Sequence, residues 1–248
     1  MSSEGLNPRL SRISTRWSLV SLAHRDAGDE VKAAQRQLLE HYGPAIRRYL
    51  IGAVRDEFAA EDLFQDFAYR FLHGDLGGAD PRRGRFRDYV KGVLFHLVAD
   101  FHKKRQRLPR QMVPDQSDPA VVCPPDAEQE QAFRTSWRDE LLARTWRALA
   151  AADEKHGHCF HAVLRFRADH PDLHSHEIAN QLGRELGKPL TAANVRKSLE
   201  RARDRFADLL LDEVAHSLAD PTPEQLEEEL IDLHLLEHCR SALERRRG

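Results

Sequence analysis

The chain contains little cysteine: only Cys123, Cys159 and Cys239 among 248 residues. An odd number of widely separated cysteines excludes a disulfide framework and is typical of a reducing cytosol. No uncharged run approaches the length of a membrane span, and the N-terminus lacks the apolar core of a secretory signal. We therefore expect a cytoplasmic protein with no membrane partner.

Alternating runs of β-branched residues are also missing, so the sequence predicts no sheet. Apolar residues instead recur at spacings of three and four, which is the pattern of helices with one buried face. The fold class is therefore predicted to be all-α. Helices are expected near residues 15–25, 29–42, 43–56, 59–73, 85–107, 128–150, 155–168, 174–186, 191–211 and 224–245.

One segment, residues 108–127, is unsuited to a helix because it contains five prolines. Each proline lacks a backbone N–H and clashes with the preceding helical turn. We interpret the segment as an extended, partly polyproline-like linker. It separates a helical domain at 15–107 from a second one at 128–211, which is followed by a C-terminal helical extension at 212–248.

The formal net charge of −2 hides a strong segregation of charge along the chain. Residues 81–110 carry ten Lys or Arg against two Asp, a net charge of +8. Residues 212–232 carry eight Asp or Glu and no Lys or Arg, a net charge of −8. A basic segment of this kind favours phosphate or another polyanion, whereas an acidic one solvates the chain or competes for a basic surface.

The basic segment includes "DYVKGVLFHLVADFHKKRQR" at 88–107, where an apolar helical pattern runs directly into positive charge. The helix dipole stabilises a C-terminal cation by only about 0.3–1 kcal/mol, which accounts for one or two of these residues but not all. Phosphate neutralisation accounts for the set better. Among the interleaved aromatics, Phe95 and Phe101 are expected to pack in the core. Phe86 and Tyr89 are expected to be exposed, as bases stack on aromatics beside basic grooves.

The preceding segment, "AAEDLFQDFAYRFL" at 59–72, predicts an amphipathic helix. Asp62, Gln65, Asp66 and Tyr69 share the side opposite its wide apolar stripe. Two interpretations remain open for this polar side: an ordinary solvated face, or a docking face for a basic partner.

A third segment, residues 175–210, predicts two helices joined by a turn. The first helix is expected to end near Gly183, and Thr191 is the expected N-cap of the second. The second helix is polar and basic on its outer side, which is the outline of a helix-turn-helix DNA-binding domain, although arginine-rich surface helices are common. The outward residues are Asn194, Arg196, Lys197, Arg201, Arg203 and Arg205.

Two further stretches of the sequence bear on function. "HGHCFH" at 156–161 offers His158, Cys159 and His161 as ligands, but it contains no CxxC pair, so no metal site is predicted. No nucleophile–base pair is suggested either, so we expect neither an enzyme nor a cofactor.

For the extension at 212–248, one hypothesis is that its acidic part folds back on a basic DNA-binding surface and inhibits it; the alternative is a solvated packing helix.

Taken in order, the three segments resemble a bacterial RNA polymerase sigma factor of the extracytoplasmic-function (ECF) type, and "STRWSLV" near the N-terminus resembles its planctomycete-like branch. Residues 59–72 resemble region 2.2 of that family, with Asp66 where Glu is usual. The matches there are Glu61, Asp62, Leu63, Gln65 and Asp66.

Residues 86–107 resemble regions 2.3 and 2.4, because Phe86, Arg87 and Asp100 match, while Tyr89 replaces a Trp and His96 an Asn. Residues 175–206 resemble region 4, although "GRELGKPL" at 183–190 lengthens the turn between its helices. The region 4 matches are Val195, Leu199, Arg201, Ala202 and Arg203.

The resemblance implies a factor that binds the beta-prime and beta subunits of core RNA polymerase, recognises the −10 and −35 elements of promoter DNA and promotes transcription initiation. An anti-sigma factor is a further partner that the resemblance allows. The resemblance assigns polymerase binding to Asp62, Gln65 and Asp66. It assigns recognition of the −10 element to Arg85, Phe86, Arg87, Tyr89, His96, Asp100, Lys103, Lys104, Arg105 and Arg107. It assigns recognition of the −35 element to Thr191, Asn194, Arg196, Lys197, Arg201 and Arg203.

Two rivals remain open. A stand-alone helix-turn-helix regulator would bind DNA without engaging polymerase. A helical adaptor would bind only protein and would show no salt-dependent affinity for DNA.

Overall fold

The structure is a computed structural model that describes residues 29–73, 85–107, 127–218 and 221–247, apart from the side chains of residues 29–31 and 107. The described residues form helices and no strand, so the all-α prediction is confirmed. The predicted helix at 15–25 and residues 108–126 of the predicted linker lie outside them. The helices are α1 (Asp29–Val54), α2 (Glu57–His73), α3 (Phe86–Arg107), α4 (Ala127–His156), α5 (Phe160–Asp169), α6 (Ser175–Glu185), α7 (Ala192–His216), α8 (Pro223–Asp232) and α9 (Leu236–Arg247).

The chain divides into two compact units. The first comprises Met1–Glu140 and Ala215–Pro221, and the second comprises Leu141–Val214 and Thr222–Gly248. The division therefore falls within α4 and again near the end of α7. No described helix combines the length and the hydropathy needed to cross a membrane.

The first unit is built around the α1–α2 hairpin. Asp56 caps α2 by accepting a hydrogen bond from the backbone N–H of Ala59 at 3.1 Å. Across the hairpin, the guanidinium of Arg47 lies 3.6 Å from the ring centroid of Phe64 and donates to Glu61 at 2.8 Å. These contacts fix the register of α2 on α1, and with it the side of α2 that faces away from the core.

An aromatic cluster forms the core between α1, α3 and the first half of α4. Tyr42 stacks on Trp137 with ring centroids 4.5 Å apart, and Phe86 lies 5.5 Å from Tyr42. Phe133 meets Tyr49 edge-on at 5.4 Å. Burying rings in tilted and edge-on contacts stabilises a core beyond the area removed from water, so this cluster anchors α3.

The helices predicted at 29–42 and 43–56 form one continuous helix, α1, with Pro44 inside it. An interior proline removes one helical hydrogen bond and usually breaks the helix. Here Leu38, Tyr42, Ile46 and Tyr49 are all buried at spacings of three and four on both sides of the proline. Because this apolar stripe is uninterrupted, packing holds the two halves in one helix.

The second unit contains a small core shared by α5, α6 and the first half of α7. Val163 and Phe166 of α5 pack with Ile178 and Leu182 of α6 and with Val195 of α7. This cluster sets the angle at which α7 leaves the connection from α6.

The single helix predicted at 224–245 is instead a hairpin of α8 and α9, reversed at His234, whose φ is +56°. In one straight helix, Leu226 and Leu230 would lie on the side opposite Cys239 and Ala242, because 3.6 residues complete a turn. All four are buried. The reversal therefore brings two apolar stripes of opposite phase to a single core.

Candidate functional site

One face of α2 carries a row of exposed side chains, which we name the α2 outer stripe: Phe58, Asp62, Gln65, Tyr69 and His73. Their spacings of three and four align them along one side of the helix. Phe58 is 88% exposed and Tyr69 is 58% exposed. Both rings are far more accessible than the buried Phe64, Phe67 and Phe71 of the same helix. The stripe thus places acidic and amide groups between two exposed rings.

Neighbouring contacts hold the C-terminal part of this stripe in place. Asp66, expected with Asp62 and Gln65, lies at its edge, partly exposed and ion-paired with Arg70 at 2.8 Å. The ring of Tyr69 stacks on that of His73 with centroids 4.1 Å apart. Asp62 and Gln65 are exposed, as a docking role requires.

Glu61, a further match of the family resemblance, has a different role. Its carboxylate accepts from Arg47 at 2.8 Å, and that hydrogen bond, reinforced by the charge of Arg47, lowers the pKa of Glu61. Glu61 therefore ties α2 to α1 and is less available to a partner than Asp62.

The sequence analysis missed Phe58, because it began the helix at residue 59. The structure begins α2 at Glu57. Phe58 precedes Asp62 by four residues. This spacing would have placed the ring on the same side as the polar residues if the helix had been predicted to begin before residue 58.

The outer side of α3 is exposed towards its basic end. His96, Asp100, Lys104 and Arg105 are exposed. Lys103 lies 3.7 Å from Asp100 across a solvent-exposed i,i+3 pair, which is worth little in water and leaves the cation accessible. The side chain of Arg107 lies outside the described part of the chain. The end of α3 thus presents positive charge to solvent.

The expected exposure of Phe86 is wrong. Its side chain is 0% exposed and lies among Tyr42, Phe71 and Trp137, with ring centroids 5.5–5.9 Å away. A ring with no accessible face cannot stack on a base. The physical reason is that Phe86 opens α3 on the side covered by α4.

Arg87, also expected at the DNA surface, is only 4% exposed. It lies near Glu130 of α4, whose pKa is lowered mainly by its 2.8 Å hydrogen bond from Lys91 and further by the charges of Lys91 and Arg87. Its guanidinium therefore faces the interior of this unit and is not free to meet phosphate.

Arg85 and Tyr89, which flank Phe86 and Arg87 in the sequence, are neither fully buried nor fully exposed. Tyr89 is half-buried, and burial raises its pKa to about 12. Arg85 is half-buried as well, and its carbonyl accepts the backbone N–H groups of Asp88 and Tyr89 at the start of α3. Phe95, predicted to pack in the core, lies between Tyr49 and Phe133 but is only half-buried.

The α6–α7 pair carries the second set of predicted DNA-binding residues. The hydroxyl of Thr191 accepts from the backbone N–H of Asn194 at 3.1 Å, so the predicted N-cap is confirmed. All the predicted outward residues of α7 are exposed. We name those that share one face the α7 basic stripe: Asn194, Lys197, Arg201 and Arg205. Arg196 and Arg203 lie on another side of the helix.

The lengthened connection between these helices is well organised. α6 continues past Gly183 to Glu185, within the predicted helix at 174–186. Lys188 then donates its backbone N–H to the carbonyl of Gly183 at 3.0 Å. A Cβ at Gly183 would lie 3.0 Å from the Lys188 carbonyl oxygen, and Gly187 has φ +62°, so both glycines are needed for this turn.

The residues of "HGHCFH" take separate packing positions. His158 stacks on Phe160 at 4.7 Å, whereas His161 meets Trp146 edge-on at 5.7 Å. Cys159 is half-buried, and desolvation raises its thiol pKa. In the described part of the chain, no group of three or more His, Cys, Asp or Glu could hold a metal ion.

The contacts of the C-terminal extension differ from the inhibitory hypothesis. That hypothesis placed its acidic residues on basic residues of the DNA-binding helix. The ion pairs between α9 and α7 have the opposite polarity: Arg245 and Arg246 of the extension bind Asp204, Asp208 and Asp212 of α7. These arginines lie beyond the acidic window at 212–232 on which the hypothesis was based.

Comparison of the chain with protein-family models finds no match, and neither do comparisons with curated proteins and with solved structures.

Proposed function

We propose that this chain is a sigma-type factor that binds core RNA polymerase, recognises the −10 and −35 promoter elements and promotes transcription initiation. One observation carries the proposal: the first unit has two exposed surfaces of opposite character on consecutive helices. The α2 outer stripe carries two exposed rings and the Asp62 carboxylate, and the end of α3 is basic. A factor that joins a protein to nucleic acid needs such a pair of surfaces.

The α2 outer stripe supports the polymerase-binding part of the proposal. Aromatic side chains are the commonest anchors of protein interfaces, while charged groups select the partner and set its register. Phe58 and Tyr69 supply the rings, and Asp62 supplies the exposed carboxylate between them. The partner we propose is a basic helical surface of the beta-prime subunit, with the beta subunit also in the assembly.

The basic end of α3 supports the −10 part, with a revised set of residues. Lys103, Lys104 and Arg105 would contact phosphates, which releases counterions and makes binding salt-dependent. His96 and Asp100 share the exposed side and would lie next to the bases. Phe86 and Arg87 leave the proposed set because both are buried.

The α7 basic stripe supports the −35 part. A helix that follows a turn and presents Asn, Lys and Arg on one face fits the groove of duplex DNA. Thr191 fixes the start of that helix, and Asn194, Lys197 and Arg201 follow on the exposed face. Joining two weak DNA-binding units in one chain raises the effective concentration of each.

A pull-down with core RNA polymerase, followed by run-off transcription, tests the proposal. We expect wild-type chain to be retained and to direct initiation. The triple variant Asp62→Ala, Gln65→Ala and Asp66→Ala should lose retention and keep salt-dependent DNA affinity. Glu57→Ala is the matched control, because it removes an exposed acid from α2 outside the α2 outer stripe.

Two outcomes would replace the proposal with a rival. Salt-dependent DNA binding by a wild-type chain that polymerase never retains would identify a stand-alone regulator. No salt-dependent DNA affinity, even with polymerase present, would identify a protein-binding adaptor.

A further inference from the structure

The exposed side of α7 changes charge part-way along the helix. The α7 basic stripe occupies its first half, and Asp204, Asp208 and Asp212 continue on the same side at spacings of four. In the second half, from residue 206 to 216, α7 has no Lys or Arg. A row of carboxylates repels phosphate, so α7 alone would offer polyanions a surface that is attractive at one end and repulsive at the other.

Two arginines of α9 lie on this row of carboxylates. Arg245 bridges Asp204 and Asp208, with Nη1 3.3 Å from one carboxylate oxygen and Nη2 2.9 Å from the other. Arg246 donates to the Asp212 carboxylate at 2.5 Å and to the backbone carbonyl of Asp208 at 3.2 Å. Each aspartate of the row therefore has a guanidinium partner.

The cations of the α7 basic stripe are not paired in this way. Across the residues that the structure describes, no ion pair involves Lys197, Arg201 or Arg205. On this side of α7 the aspartates therefore form intramolecular ion pairs, whereas the cations of the α7 basic stripe remain accessible to an external anion.

The fold delivers the two arginines to this position. Leu230 and Leu233 at the end of α8, and Cys239 and Leu243 of α9, are buried, so both helices of the hairpin are packed by their apolar sides. Arg247 binds Glu227 of α8 at 2.5 Å and closes the hairpin at its far end. A side chain carried on a packed helix loses little further freedom when it forms an ion pair, which favours persistent contacts.

We propose that the C-terminal hairpin is an electrostatic shield, in which Arg245 and Arg246 neutralise the aspartates of α7 and thereby promote the binding of duplex DNA phosphates along this helix. This role rests on the proposed DNA-binding function of α7. It is the reverse of inhibition: the extension raises DNA affinity.

The charge count gives the direction of the effect. The three aspartates and two arginines carry a net charge of −1, which becomes −3 when both arginines are made neutral. The Arg245 side chain is 46% exposed, so its positive field also reaches solvent on this side of α7. Charges that lie about one Debye length from a phosphate interact weakly, so the expected change in affinity is moderate and disappears in high salt.

Fluorescence anisotropy with a labelled duplex of mixed sequence, using the full chain, measures this effect. We expect Arg245→Gln with Arg246→Gln to weaken binding on the order of threefold near about 50 mM salt, and to approach wild type near about 300 mM. The matched control is Arg240→Gln, compared with Arg245→Gln alone: each removes one charge from α9, but Arg240 pairs with Glu237 of its own helix and not with an aspartate of α7. The control should bind more tightly than the test variant.

Rescue distinguishes shielding from direct contact of the arginines with DNA. Adding Asp204→Asn, Asp208→Asn and Asp212→Asn to the test variant should restore wild-type affinity or exceed it. Thermal melting by circular dichroism checks that each variant is folded; exposed ion pairs are worth only about 0.2–1 kcal/mol, so we expect folded proteins.

Three results would overturn the shield: unchanged affinity in the test variant, increased affinity, or failure of the added asparagines to restore it. A wild-type chain with no salt-dependent DNA binding would overturn the proposed function together with the shield. A wild-type chain that binds DNA while the test variant binds equally well would overturn the shield alone.

Discussion

Replacing Phe86 with alanine tests the most consequential correction made by the structure, the transfer of this ring from a DNA surface to the core. The ring is 0% exposed and has three aromatic neighbours with centroids 5.5–5.9 Å away. Truncating a buried Phe to Ala typically costs about 3–5 kcal/mol, because transfer free energy and packing contacts are both lost. Since small domains are stable by only about 5–15 kcal/mol, the loss should be large for the first unit.

Urea unfolding followed by circular dichroism measures this loss as a decrease in the free energy of unfolding. Tyr89→Ala is the comparison, because that ring is half-buried and should cost clearly less. Phe86→Leu should recover a substantial part of the loss, as it restores apolar volume without an aromatic face. A loss below about 1 kcal/mol for Phe86→Ala would refute the core position, since surface substitutions usually fall within about 0.5 kcal/mol.

Three further predictions concern the turn, a surface ion pair and a thiol. Thr191→Ala should lower the free energy of unfolding of the second unit by about 1 kcal/mol, measured by urea unfolding, whereas Thr191→Ser should not, because serine also caps. Arg47→Ala should raise the pKa of Glu61, read by NMR titration; because the folded pKa is lowered, this pair stabilises the fold above the ordinary glutamate pKa of 4.5 and the contribution is lost as pH falls through the folded value. With the other cysteines changed to serine, Cys239 should resist iodoacetamide until the chain unfolds, because it is buried and burial raises its pKa to about 12; rapid alkylation of the folded protein would contradict its position.

Helical periodicity was sufficient to place α2, α3, α6 and α7 and much of their buried faces. Val90, Leu94 and Leu97 recur at spacings of three and four, and all are buried. Thr191 was identifiable as an N-cap because a hydroxyl before a polar helix has a local partner, the backbone N–H three residues on. Local signals of this kind are contained within one or two turns of the chain, so the sequence alone carries them.

The errors arose where a distant segment decides the outcome. Phe86 and Arg87 stand at the start of α3, beside basic residues, and nothing in that stretch indicates that Trp137 and Glu130 cover them from α4. Pro44 likewise predicts a break unless the apolar stripe on both sides of it is known to meet one continuous core. Tertiary packing overrides local preference in both places, and packing partners far apart in sequence are not visible in a local pattern.

The C-terminal extension contacts α7 through residues that segment charge did not indicate. The acidic window at 212–232 suggested a contact with basic residues, whereas Arg245 and Arg246 form the ion pairs that join α9 to α7. The reversal at His234 brings these late arginines back to α7. The net charge of a segment therefore indicates what the segment can bind, while the fold determines which of its residues contact a given helix.

The net charge of −2 is for the same reason a poor guide to what this protein attracts. Charges more than about 10 Å apart are largely screened from each other at ~0.1 M ionic strength, so each surface acts through its own local field. In the second half of α7 the carboxylates that would repel phosphate are paired, Glu213 with Arg144 at 2.8 Å and Asp212 with Arg246 at 2.5 Å, whereas Arg201 stays open. Two variants with the same total charge must then differ in DNA affinity if one leaves an aspartate unpaired and the other does not. Equal salt-dependent affinities for Arg240→Gln and Arg245→Gln would show that total charge, and not the pattern of internal pairing, governs the attraction.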